Sequence, residues 1–100
     1  MKLVTAIVRT VGIDHVVKSL EEAGFKGITI SEIKGVGEEV CMNKPYTIHD
    51  KIEIILPDEE AETAVNIILQ NSRSGLAGDG IISVSALDYA VKIRTKEQLV

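Results

Sequence analysis

Residues 2–10 alternate with a period of two: Leu3, Thr5 and Ile7 fall on one face of an extended chain and Val4, Ala6 and Val8 on the other. Their β-branched content predicts a strand, and because both faces are apolar, both need cover. From Ile13 the period lengthens. Ile13, Val16, Val17, Leu20 and Ala23 recur at helical intervals and predict a helix over 12–23, with Gly24 placed for a left-handed C-cap. Gly27 opens a second alternating strand, Ile28-Thr29-Ile30-Ser31-Glu32-Ile33, which stops at Gly35. The segment 36–50, broken by Gly37, Asn43 and Pro45, keeps no period and reads as a loop, long for so small a domain. Lys51-Ile52-Glu53-Ile54-Ile55-Leu56 is a third strand, halted by Pro57. Asp58 then sits as an N-cap, with Glu59, Glu60 and Glu62 near the positive end of a second helix. Its buried stripe is Ala61, Ala64, Val65, Ile68 and Leu69, and it runs to about Ser72. After Gly75, Gly78 and Gly80, a fourth strand covers 81–86, and Val91-Lys92-Ile93-Arg94 offers a short fifth.

The order β-α-β-loop-β-α-β implies an α+β, ferredoxin-like βαββαβ sandwich: a four-stranded antiparallel sheet with two helices on one face. One domain is expected over residues 1–100, with the 36–50 loop at its middle. Helices cover only one face of such a sheet, so the second face of strand one is left apolar, the mark of an interface. The pattern therefore predicts oligomerisation without giving its symmetry.

Composition narrows the function classes. An apolar content of 45% over 100 residues suits one folded domain, and no apolar run approaches a bilayer span. The run at the start is too short for a signal peptide and meets Arg9, so the cytoplasm is expected, without direct membrane insertion. A net charge of −4 and three aromatic residues supply neither a basic stripe nor a stacking platform, which argues against nucleic acid as a partner. Cys41, His15 and His49 have no metal-ligand spacing, and no metal is expected. No nucleophile with a matching base stands out, so the chain does not read as an enzyme.

Two glycine-bearing turns remain as candidate chemistry: Lys34-Gly35-Val36-Gly37 after strand two, and Arg73-Ser74-Gly75-Leu76-Ala77-Gly78-Asp79-Gly80 before strand four. Each is accounted for by a strand end or a helix C-cap, or by a nest of backbone N–H groups that receives an anion. Neither is a Walker loop or a dinucleotide fingerprint, since no helix starts after either one.

The second turn, continued by Ile81-Ile82-Ser83-Val84 and then Val91-Lys92-Ile93-Arg94-Thr95, resembles the C-terminal signature of the PII signal-transduction proteins. Residues 28–37 resemble that family's second strand and glycine turn at matching spacing, and strands one and three align as well. The resemblance implies a homotrimer packed sheet to sheet, with an adenine nucleotide in each cleft between subunits. Carried over by position, Ile7, Thr29, Glu53 and Ile55 would frame the adenine. Gly35, Val36, Gly37, Gly78, Asp79 and Gly80 would line the phosphate site, and Lys92 and Arg94 would add charge from the neighbouring subunit. The implied function is a regulator that relays its ligand through the 36–50 loop to a protein target such as a membrane transporter or a metabolic enzyme. A trimeric module for another small molecule or anion is the alternative, and a nucleotide hydrolase a weaker one.

The chain departs from the family pattern at defined points. Glu38 and Glu39 stand where an arginine and a glutamine are usual, Ile81 where a lysine follows the Gly-Asp-Gly turn, and His49 where another lysine precedes strand three. Like charges within a few ångströms cost on the order of 1 to 4 kcal/mol at effective dielectric constants of roughly 80 to 20. AMP or ADP is therefore expected to bind in preference to ATP, with little response to 2-oxoglutarate. The loop is shorter than the family's projecting one, and Tyr46 is expected to pack at its base rather than serve as a modification site. The glutamates beside Cys41 oppose a reactive thiolate there.

Overall fold

The computed structural model describes residues 1–37 and 45–100; the readings placed on Glu38, Glu39 and Cys41 lie outside the described residues. Strand β1 (Lys2–Arg9) leads through a 3-10 turn (Thr10–Gly12) into helix α1 (Ile13–Glu22). Strands β2 (Thr29–Gly35) and β3 (Thr47–Leu56) follow, then helix α2 (Asp58–Ser72) and strand β4 (Ile81–Ala86). The four strands form one antiparallel sheet in the order β2-β3-β1-β4, the arrangement of a ferredoxin-like fold.

The core lies between this sheet and the two helices. Val4, Ala6 and Val8 of β1 and Ile52, Ile54 and Leu56 of β3 meet Val16 and Leu20 of α1 and Ala61, Ala64 and Ile68 of α2, all buried. Full burial of a Leu or Ile side chain stabilises by about 1.5–3 kcal/mol, so Leu20, Ile52, Ile54 and Ile68 anchor the sandwich. Phe25, just past the helix, joins this core, whereas Ala23 at the end of the expected stripe is exposed. The helix ends one residue before Ala23, and Gly24 takes the left-handed conformation (φ +94°) that turns the chain back towards the core.

Other parts of the chain differ from the sequence reading as well. Strand β3 starts at Thr47, four residues earlier than expected, so the connection after β2 ends by Tyr46 and not at Asp50. Thr47 and Ile48 are β-branched, and pairing with Gly35 and Lys34 carries the ladder to the end of β2. Asp58 is the first residue of α2, and Pro57 occupies the cap. The segment near Val91 does not extend the main sheet: β5 (Ala90–Val91) pairs with β6 (Gln98–Leu99) in a hairpin of its own.

Candidate functional site

The register of β1 and β3 sets the site. Leu3, Thr5, Ile7 and Arg9 lie on the sheet face turned away from the helices, opposite Ile55, Glu53, Lys51 and His49 in turn. At the Arg9–His49 end the two glycine turns come together. A cleft of about 430 Å³ is lined there by Ile7, Ile33, Gly35, Val36, Gly37, Thr47, His49, Gly78, Gly80 and Ile81. Residues 43 positions apart in sequence, Gly35 and Gly78, thus wall one cavity.

The turn before β4 is organised around Asp79. One carboxylate oxygen, Oδ2, accepts the backbone N–H groups of Ser74 (2.9 Å) and Gly75 (2.8 Å). The other, Oδ1, accepts the Ser74 hydroxyl and the Nε–H of Arg9 at 3.2 Å. The Arg9 guanidinium also donates to the Ala77 carbonyl, tying the turn to the end of β1. Donors to the carboxylate, the Ser74 hydroxyl first and then the Ser74 backbone, hold Asp79 far below the ordinary carboxyl range. Gly80 closes the turn at φ +102°, and a Cβ there would lie 1.7 Å from the Ile7 carbonyl oxygen. Only glycine fits that approach.

A second hydrogen-bonded chain joins the two turns. His49, 8% exposed, places Nε2 at 3.0 Å from the Gly78 carbonyl and Nδ1 at 3.3 Å from the Thr47 hydroxyl. The Thr47 hydroxyl is in turn 3.4 Å from the Gly35 carbonyl. Among the described residues, the cleft's lining includes no lysine or arginine, and His49 is its one titratable group. Among the described residues, no three His, Cys, Asp or Glu side chains gather as a metal site requires.

Of the twelve residues singled out from sequence, Ile7, Gly35, Val36, Gly37, Gly78 and Gly80 line the cleft. Asp79 faces a neighbouring hollow beside α2, its carboxylate committed to the turn. Thr29 and Glu53 are cross-strand partners on the cleft's face of the sheet, with Glu53 3.7 Å from the Lys51 ammonium. Glu53 lies four positions along the strand from His49, about 13 Å at the usual rise. Ile55 lies two residues further on, half exposed. Lys92 and Arg94 belong to the C-terminal hairpin, where Lys92 faces Glu97 at 4.0 Å, and neither lines the cleft of its own chain.

Arg9, Thr47 and His49 were not among the predicted site residues. Alternation along β1 puts Arg9 on the face of Ile7, and extending β3 back through Thr47-Ile48-His49 would have placed His49 beside it. The contact of Arg9 with Asp79, 70 residues away, has no local signal. Tyr46, expected at the loop base, lies under the Lys34 ammonium, 4.8 Å from the ring centre.

The match to known proteins extends over nearly the whole chain. The family model described as "Nitrogen regulatory protein P-II" matches residues 1–97. Nitrogen regulatory protein P-II 2 of Methanothermobacter thermautotrophicus is 36% identical, with 97% of this chain and 92% of the relative aligned. Nitrogen regulatory protein P-II of Rhodobacter capsulatus is 37% identical over 97% of this chain and 95% of its own length. Both alignments run over 106 positions, more than this chain has residues, so the relatives carry extra positions within the matched stretch. With the ferredoxin-like sheet and the paired glycine turns in place, these matches show that the chain belongs to the nitrogen regulatory protein P-II family of signal-transduction regulators.

Proposed function

We propose that this protein is an adenine-nucleotide-responsive regulator of the cytoplasm that works as a homotrimer, binding AMP or ADP in preference to ATP in the clefts between subunits. The observation that carries the reading is the meeting of the Gly35–Gly37 and Gly78–Gly80 backbones in one cleft, with Ile7 as an apolar wall. Gly35 and Gly37 have no positive φ, and a Cβ on either would meet nothing within 4 Å. Their fold does not require glycine, whereas a phosphate approaching the backbone does.

The remaining residues extend the same site. Thr29, Glu53 and Ile55 frame the adenine further along the sheet face, and Lys92 and Arg94 of a neighbouring subunit supply positive charge beside the phosphates. Oligomerisation is supported by the apolar surface a single chain leaves in water: Ile81 is 66% and Ile93 95% exposed, with Ile55 and Val91 also open. Among the described residues the lining holds no lysine or arginine, which favours fewer phosphates over more. The segment between β2 and β3, rooted at Gly35 and Gly37, carries the response to a protein target, a transporter or a metabolic enzyme, provided the ligand prefers one of its arrangements over another.

Titration calorimetry with AMP, ADP and ATP, with and without magnesium and 2-oxoglutarate, tests this reading. AMP or ADP is expected to bind more tightly than Mg-ATP. Tight Mg-ATP binding strengthened by 2-oxoglutarate would remove the preference, absence of binding by every nucleotide would remove the reading, and multiple-turnover phosphate release would replace it with a hydrolase.

A further inference from the structure

We infer that His49 makes the cleft a proton-linked anion site, so that a phosphate-bearing ligand binds with uptake of a proton on the imidazole and, at a given ligand charge, binds more tightly when that proton is present. The inference rests on the nucleotide reading above for its ligand, and on the hydrogen-bond chain between the two turns for its mechanism.

The ring's bonding identifies the exchanging nitrogen. A carbonyl only accepts, so the His49 Nε2–H donates to Gly78 O, and Nδ1 is the atom that gains or loses the proton. In the neutral ring Nδ1 accepts the Thr47 hydroxyl hydrogen, which is then withdrawn from the Gly35 carbonyl. In the imidazolium, Nδ1–H donates to Thr47 Oγ1, and the hydroxyl hydrogen turns to Gly35 O. Only the charged ring completes all three links, Gly78 to His49 to Thr47 to Gly35, and it joins the two glycine turns while doing so.

The described groups facing His49 come from three strands and the turn before β4. Arg9 stands opposite on β1, permanently charged and paired with Asp79 of the turn. Ile33 stands opposite on β2. Along β3 the same face carries Thr47 and Lys51, the latter 3.7 Å from Glu53. Histidine is the side chain whose charge ordinarily changes between about pH 5 and 8. An anion entering the cleft therefore favours the proton on His49, and by linkage the proton favours the anion. His49 positions charge at the site through the turns, since the described contacts of both ring nitrogens are to the protein.

The test is calorimetric titration of AMP and ADP at pH 6, 7 and 8, at constant ionic strength, on the full chain and on His49→Gln and His49→Lys. Inorganic pyrophosphate and adenosine are titrated alongside. The ligand's own phosphate gains charge as pH rises, with a second ionisation near about pH 6, so the readout is the slope of the full chain relative to H49Q. The full chain is expected to lose about fivefold more affinity than H49Q between pH 6 and 8, a coupling at the low end of the usual range. H49K, with its charge fixed, should show no such extra loss, and adenosine should show none with any variant. Parallel slopes for the full chain and H49Q overturn the inference while leaving nucleotide binding intact. Pyrophosphate bound with the predicted slope and nucleotides not bound at all would overturn the nucleotide reading and keep the proton-linked anion site. Binding of neither at any pH overturns both.

Discussion

The two glycine turns look alike in sequence and answer different demands. In the turn before β4, glycine is a requirement of the fold: Gly75, Gly78 and Gly80 all have positive φ, and Gly80 is pressed against the Ile7 backbone. In the turn after β2, Gly35 and Gly37 sit in ordinary conformations with open space where a side chain would go. One turn is built from inside, with Asp79 gathering Ser74, Gly75 and Arg9; the other lines the cleft with Gly35, Val36 and Gly37. Glycine by itself is thus an ambiguous signal, and the space around the missing Cβ resolves it.

The two turns differ most in what Gly80 tolerates. Gly80→Ala should cost about 3 kcal/mol or more, because the clash is with backbone at a positive φ and nothing flexible can move aside. Urea denaturation measures it, and a loss below about 1 kcal/mol would mean that the turn rearranges easily. Gly37→Ala should do the opposite: stability within about 0.5 kcal/mol of the parent, with nucleotide affinity reduced about tenfold. Loss of stability without loss of binding would make the two turns equivalent after all.

Arg94→Ala probes the cleft from the C-terminal hairpin. The hairpin residue does not line its own cleft, so a roughly threefold weaker AMP or ADP affinity, with unchanged stability, is expected if a neighbouring subunit supplies it. Unchanged affinity would exclude Arg94 from the site.

Asp79 gives the acid side. Its carboxyl titrates lower in the folded chain than in the unfolded one, where an aspartate lies near about 3.9. Its contribution is therefore complete well above that value, begins to fall near about pH 5, and is lost as pH drops towards the folded-state value. Asp79→Asn should lower Tm by several degrees at neutral pH and flatten the fall in urea midpoint below pH 5. An unchanged acid slope would show that the Asp79 contacts in the turn do not contribute to folding stability.

Much of this molecule was legible along the chain because its determinants are local. The periods of two and of 3.6 placed β1, both helices and β4, and Gly24 and Pro57 marked ends whose backbone conformations only a few residues favour. The start of β3 was missed because Pro45 and the unpatterned stretch before it masked Thr47 and Ile48, whose strand character is completed by pairing with β2. Helix stripes were right at their centres and wrong at their margins: Leu69 is half exposed beside the β4 edge, and Phe25 enters the core from a turn.

What the amino-acid sequence determined by itself, then, is the order of elements, the apolar faces that must be buried, and the presence of two glycine turns, since each follows from short-range backbone preference and hydrophobic period. Only the tertiary structure decided that the turns share a cleft, that Arg9 and Asp79 build one of them, and that His49 and Thr47 bridge both. Those contacts join residues up to 70 positions apart, and their partners are chosen by strand register, a property of the assembled sheet that no single segment carries.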